Sequence, residues 1–170
     1  MKALLIVDML KDFVYDSGAL KVNGAQEIIP FVRDLREDFK NNNEPVIYIC
    51  DNHSKDDPEF KVWPPHCVEG TTGAEVINEL KPDDTDYIVK KTTYSGFFRT
   101  NLNELLKSLN IDTVYVVGVA MNICVHYTAA DAKMLGYNVF VPLRGVRGLT
   151  REDEEYMEKQ FRNVLNLFLI

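Results

Sequence analysis

The chain has 170 residues, 46% of them hydrophobic and 26% charged, with nine Gly and seven Pro, enough for one ordinary core and unlike a disordered or fibrous composition. A formal net charge of −7 with no clustered basic patch excludes a nucleic-acid or anionic-membrane surface as the working face. No apolar run approaches the ~20 residues that cross a bilayer.

The opening "MKALLIVDMLKDF" carries a basic residue and an apolar run, but Asp8 interrupts it and no small-residue cleavage site follows. It reads as a strand over 3–7, buried on both faces, rather than as a signal peptide. Residues 25–39 place Ile28, Ile29, Phe31, Val32, Leu35 and Phe39 at helical spacing among charges. Pro45 ends a polar turn, and 46–50 forms a second strand. The pattern then predicts a short helix over 74–80, a third strand over 87–90, a helix over 102–109 and a fourth strand over 113–117. Helical spacing over 123–135 stops at Gly136, a C-cap residue, and 138–141 makes a fifth strand. Thr150 opens the last helix with Asp153 placed as the acid of a capping box, and the terminal "NVLNLFLI" offers a sixth, short strand. This alternation predicts an α/β fold: one domain over 1–170, three α/β/α layers, and a parallel sheet of five or six strands.

One connection has no regular pattern, residues 51–73, "DNHSKDDPEFKVWPPHCVEGTTG". A loop of that length in a compact domain is usually functional, and this one holds two of the three histidines, the only Trp and Cys67. In a parallel sheet, ligands bind beyond the carboxyl ends of the strands. Asp8, Asp51, Lys91 and Cys124 all follow or end predicted strands, so they emerge on one edge. Each alone has an ordinary explanation as a cap, a solvated strand end or packing. Their joint placement points to a site.

Cys124 falls between a strand and a helix in "GVAMNICVHYTAADA". Helix-end partial charge and a nearby lysine predict a lowered thiol pKa, and a carboxylate such as Asp8 could carry the proton. Cys50 and Cys67 read as packing. An odd number of cysteines without a secretory signal fits free thiols in a reducing, cytoplasmic compartment. Asp51-x-His53 with His66 beyond it offers two imidazoles and a carboxylate, a set that suits Zn²⁺, Fe²⁺ or Mn²⁺ and leaves coordination positions open. The rival is a closed zinc site from Cys50, His53, His66 and Cys67, which requires adjacent residues to ligate together against the usual spacing. His126 lies two residues past Cys124 on the same helix and points away from it.

The segments "LLIVDMLKDF", "DNH", "WPPHC", "KTTYSGFF" and "GVAMNICVHYTAADA" occur in the order and at the approximate spacing of the isochorismatase-like cysteine hydrolases, which the chain resembles over nearly its whole length. D-x-H followed by W-P-x-H-C is similar to the nicotinamidase/pyrazinamidase branch, which deamidates nicotinamide to nicotinate and ammonia. The resemblance implies a catalytic triad of Asp8, Lys91 and Cys124. Lys91 is preferred to Lys90 because the family's lysine lies four residues before a serine, here Ser95. The resemblance also implies one divalent ion on Asp51, His53 and His66, with Zn²⁺ preferred and Fe²⁺ or Mn²⁺ as alternatives. Phe13, Trp63 and Tyr94 match aromatics around a pyridine ring. A non-proline cis peptide is implied just before Ala120, and the N–H groups of Ala120 and Cys124 match an oxyanion hole. The implied protein is a homo-oligomer acting on a small aromatic amide through a cysteine thioester.

Alternatives are another cysteine amidohydrolase acting on an N-carbamoyl or small amide, a vinyl-ether hydrolase that needs no cysteine, or an inactive pyridine-binding member. A flavodoxin-like nucleotide binder would share the strand–helix pattern, but no G-x-G-x-x-G loop is present. Three departures stand out. Met121 replaces a frequent Thr or Ser, and Arg144 replaces a frequent acid. "SKDDPEF" lacks a further histidine ligand, so waters or an acid such as Asp56 or Asp57 would complete the shell.

Overall fold

In the computed structural model, which describes residues 1–170, the most apolar segment takes the centre of the sheet. This is β1 (Lys2–Val7), and it pairs in parallel with β2 (Val46–Asp51) on one side and β4 (Thr113–Val119) on the other. The sheet continues outward to β3 (Tyr87–Lys91) beyond β2, and to β5 (Asn138–Val141) and β7 (Phe168–Leu169) beyond β4. A two-residue strand, β6 (Val146–Arg147), pairs with Gly118 and Val119 at the end of β4. All pairs are parallel. The sheet therefore has seven strands rather than five or six: the C-terminal strand is present, and β6 is too short to leave a pattern in the sequence.

Because strand side chains alternate between faces, β1 and β2 feed two separate cores. Leu5, Val7, Ile47 and Ile49 pack with α3 (Leu102–Ser108), α4 (His126–Met134) and α5 (Arg151–Asn163). Leu4, Ile6, Val46 and Tyr48 pack with α1 (Lys11–Val14) and α2 (Ile29–Asn41) on the other face. The result is the expected three layers. No helix is long and apolar enough to cross a membrane.

Several predicted boundaries shift for identifiable reasons. The segment 25–39 divides into a 3₁₀ turn, Ala25–Ile28, and α2, with Pro30 in the first turn of α2, where its missing N–H costs nothing. The segment 74–80 is not a helix. Val76 forms an antiparallel bridge with Leu10, and the Ile77 N–H donates to Met9 O at 3.0 Å. That pairing takes the backbone away from helical bonding and leaves isolated 3₁₀ turns at Thr72–Ala74 and Asn78–Leu80. Before α4 the chain makes one π-helical turn, Met121–Val125, which carries Cys124.

The chain runs outward from β1 through β2 to β3, then crosses back to place β4 on the opposite side of β1. The β1/β4 seam is therefore the topological switch point, where a crevice opens beyond the strand ends. Gly118 permits the close approach there. Its φ is +113°, and a Cβ would lie 1.9 Å from the Val7 carbonyl oxygen. Gly118→Ala should lower stability by about 3 kcal/mol or more, read as a fall in the urea midpoint, because it combines a steric clash with a disfavoured φ. At α5 the predicted capping box is present: Thr150 Oγ1 accepts from the Asp153 N–H at 3.1 Å, and Asp153 Oδ2 accepts from the Thr150 N–H at 3.1 Å. Thr150→Ala should cost ~1 kcal/mol in the same measurement.

Candidate active site

At the end of β1, Asp8 turns into the left-handed region (φ +49°), which Asp tolerates better than most residues. Its N–H donates to Ile49 O, and its Oδ1 accepts from the Asp51 N–H, both at 2.8 Å. The turn thus holds the carboxylate across the β1–β2 seam. Lys91 closes β3, an edge strand, yet its side chain is fully buried because it runs under the ends of β2 and β1. Its Nζ lies 2.8 Å from Asp8 Oδ2, touches Asp51 Oδ1, and donates toward Cys124 Sγ at 3.5 Å. Asp8, Asp51, Lys91 and Cys124 thus converge at the switch point from four strand ends. The peptide between Val119 and Ala120, just before the Cys124 turn, is cis.

The electrostatics follow from burial around one cation. Burial pushes Asp8 up to about 6, Asp51 adds to the rise, and Lys91 opposes it. For Asp51, burial acts upward too, but Lys91 and the two imidazoles outweigh it and hold the carboxyl well below its ordinary range. Burial disfavours the charge on Lys91, and Asp51 and Asp8 more than restore it. At Cys124, burial pushes the thiol up, Lys91 pulls it down, and Asp8 and Asp51 push it up again. The lowered thiol pKa expected from a helix end is therefore corrected: a dry site flanked by two carboxylates keeps the proton on sulfur, beside a base of raised pKa.

Asp51, His53 and His66 form a buried group whose ligand atoms all lie within 4.8 Å of one another. Asp51 Oδ2 is 3.4 Å from His53 Nε2 and 3.7 Å from His66 Nε2. His66 Nδ1 sits 2.8 Å from Pro64 O, which can only accept, so Nδ1 carries a proton and Nε2 faces the cluster. His53 is fully buried, yet neither ring nitrogen has a hydrogen-bond partner. Its Nδ1 is 3.1 Å from Asp57 Oδ2, a charge contact without hydrogen-bond alignment. Burial opposes protonation of His53, but Asp51 and Asp57 outweigh it and push the imidazole up to about 9. An orphaned Nε2 beside a carboxylate and a second imidazole fits a divalent cation.

The further acid that faces the ligand nitrogens is neither Asp56 nor Asp57 but Glu59. Asp56 is exposed and Asp57 sits against the outer nitrogen of His53, whereas Glu59 Oε1 lies 3.8 Å from His66 Nε2. Asp57 Oδ1 accepts from the Glu59 N–H at 2.9 Å and caps the 3₁₀ turn Pro58–Lys61. The Asp-Pro-Glu triplet was the available signal, since a capped turn brings the next acid back toward the histidines. The rival closed zinc site does not form. Cys50 and Cys67 are buried free thiols outside the ligand group, and Cys67 Sγ faces Gly73 O at 3.9 Å.

A cavity of about 450 Å³, counting its open mouth, brings Asp51, His66 and Cys124 to one space. Its walls include Phe13, Trp63 and Tyr94, together with Val119, Ala120 and Ile123. Trp63 Nε1 donates to the Tyr94 hydroxyl at 3.2 Å, and Phe13 packs 5.3 Å from the His66 ring centre. Ser95 Oγ donates to Asp131 on α4 at 2.5 Å, securing the segment that carries Tyr94. Leu20, Val22 and Leu149 also line the wall, without any motif to mark them in the sequence. His126 packs on Phe161 and Tyr127, away from the cavity.

The profile of the isochorismatase domain matches residues 2–168. The pyrazinamidase/nicotinamidase of Streptococcus mutans is 31% identical, with both chains covered in full, and superposes with a TM-score of 0.95. The pyrazinamidase of Pyrococcus horikoshii, solved in complex with zinc, is 32% identical over 99% of this chain and 98% of that one, with a TM-score of 0.94. The N-carbamoylsarcosine amidase of Thermoplasma acidophilum is 36% identical over 99% of this chain and 94% of that one, with a TM-score of 0.92. With its fold, its strand-end cluster and a family match over almost its whole length, the chain belongs to the isochorismatase family.

Proposed function

We propose that this protein is a metal-dependent nicotinamidase, hydrolysing nicotinamide and pyrazinamide-like amides to the acid and ammonia through a thioester on Cys124. The observation that carries this reading is the shared cavity: its walls are largely apolar and aromatic, with Cys124 and the Asp51–His66 side of the cation site both opening into it. A flat, uncharged aromatic amide matches those walls. The one lysine in the lining, Lys21, is exposed and engaged by Asp16 at 2.6 Å, and no arginine lines the cavity, so no free basic side chain there is set to hold a substrate carboxylate. The three free cysteines are in keeping with the reducing, cytoplasmic setting expected above.

Asp51, His53 and His66, with Glu59 beside them, would hold the divalent ion. Zn²⁺ suits a set of two imidazoles and a carboxylate, and when bound it would supply a Lewis-acid contact for a ring nitrogen. The chain's own groups then account for the chemistry. Phe13, Trp63 and Tyr94 hold the ring so that the carboxamide carbon faces Cys124. Asp8, with its raised pKa, accepts the thiol proton, and Lys91 stabilises the sulfur anion at 3.5 Å. Sulfur attacks the carbonyl carbon, and the N–H groups of Ala120 and Cys124 receive the oxyanion, each typically worth ~3 kcal/mol. Asp8 returns its proton to the departing ammonia. Water then cleaves the thioester, restoring the thiol and releasing the acid.

A second reading, hydrolysis of an N-carbamoyl amide, is favoured by one observation, the 36% identity to the carbamoylsarcosine amidase. It keeps Asp8, Lys91 and Cys124 but gives Asp51, His53 and His66 no ring to orient.

Ammonia release separates these readings. The wild-type protein should release ammonia from nicotinamide, and Cys124→Ala should lower kcat by roughly 10⁴-fold or more; unchanged release would remove Cys124 as the nucleophile. Turnover of N-carbamoylsarcosine without turnover of nicotinamide would favour the second reading. Chelation should abolish nicotinamide hydrolysis, and Zn²⁺, Fe²⁺ or Mn²⁺ should restore it. Full activity in the metal-depleted protein would overturn the metal dependence.

A further inference from the structure

Asp12 lies on α1, four residues past Asp8, and touches neither the cavity nor the ligand group. It takes part in no ion pair. Its half-buried carboxylate serves two backbone groups instead: Oδ2 accepts from the Cys67 N–H at 2.8 Å and Oδ1 from the Ala19 N–H at 3.1 Å. The backbone at Gly73 packs directly against it, since a Cβ there would come within 2.1 Å of Oδ2. One side chain thus ties the connection after α1, at Ala19, to two points of the long loop, Cys67 and Gly73.

The Cys67 end of this arrangement bears on the cation ligands. Cys67 follows His66 and has φ +44°, a left-handed conformation that a residue with a Cβ adopts only when its surroundings impose it. Its carbonyl accepts from the His53 N–H at 3.0 Å, and the His53 carbonyl accepts from the Glu69 N–H at 2.8 Å. The Cys67 backbone is therefore the link between the two histidines, held on its donor side by Asp12. Phe13, the next residue on α1, packs on the His66 ring. The short helix fixes both the backbone and the ring of that ligand.

We infer that Asp12 is a positioning residue for the cation site, setting the backbone turn at Cys67 and through it the direction of His66 Nε2 toward Asp51. The inference rests on the metal-site reading above. A charge-assisted bond to a backbone N–H resists displacement, and losing such outer contacts typically weakens metal binding about 10- to 100-fold.

The test is Co²⁺ titration of metal-free wild type, Asp12→Asn and Asp12→Glu. It is followed by visible absorption and paired with the thermal midpoint of each metal-free protein. Thr150→Ala, at the N-cap of α5 and outside the cation ligands and the Asp12 contacts, serves as a control for general destabilisation. Asn presents an N–H to one of the two donors that Asp12 serves. Glu keeps the charge but displaces it by a methylene, and provides the test if the Asn variant does not fold. Both should bind Co²⁺ at least about 10-fold more weakly with an altered visible band, whereas Thr150→Ala should lower the midpoint and keep wild-type affinity. A folded Asp12 variant with wild-type affinity and spectrum would overturn the inference while leaving the metal site intact. A wild-type protein that takes up no Co²⁺ would overturn the metal-site reading and this inference together.

Discussion

The Lys91 ammonium is sealed from water and balanced by Asp8 and Asp51, so the ends of β1, β2 and β3 meet at one buried charge. Such an arrangement adds little net stability, because desolvation offsets most of the attraction, but removing one partner would strand the others without solvent. The same three charges set the state of Cys124. Lys91 reaches the sulfur, the two carboxylates and the dry surroundings keep its proton in place, and Asp8 is left as the nearby base. The constraint that organises the strand ends also prepares the nucleophile.

Topology makes this convergence possible. The crossover from β3 back to β4 opens a crevice beside β1, and Gly118 lets β4 pass close enough to Val7 for the Cys124 turn to face Asp8. The long loop then lays His53 and His66 against Asp51 from outside the sheet. A rigid strand end supplies the carboxylate, while a loop pinned by backbone bonds to Cys67 and Glu69 supplies the imidazoles. This division explains why one cavity can present a thiol on one wall and cation ligands on another. The fold is common to amidases whose substrates differ, so the lining of the cavity carries the substrate argument.

Apolar periodicity was enough to find five strands and helices α2 to α5, though not the four-residue α1, and the Thr150–Asp153 spacing was enough to find the capping box, because burial on both faces and a helix start each leave a local pattern. Strand-end position was enough to bring Asp8, Asp51, Lys91 and Cys124 to one edge, since in a parallel sheet every carboxyl end points the same way. Motif order added the metal and ring-packing candidates. Where the pattern misled, a tertiary contact had overridden it. Val76 and Ile77 look helical but bond to Leu10 and Met9, and the short β6 exists only because β4 offers it an edge.

The charge state of the thiol was beyond the sequence, because it depends on burial and on two carboxylates 73 and 116 residues away along the chain. Glu59 left only the Asp-Pro-Glu turn as a signal, and nothing in the sequence marked the role of Asp12. Their importance comes from which nitrogen or N–H each carboxylate faces, a matter of angstroms set by a capped turn and a left-handed residue. The sequence by itself determined the layers, the strand ends and the reactive residue types, because those follow from local pattern and the direction of a parallel sheet. Only the tertiary structure decided which acid sits by the histidines and which proton stays on sulfur, because both depend on distance and on the exclusion of water.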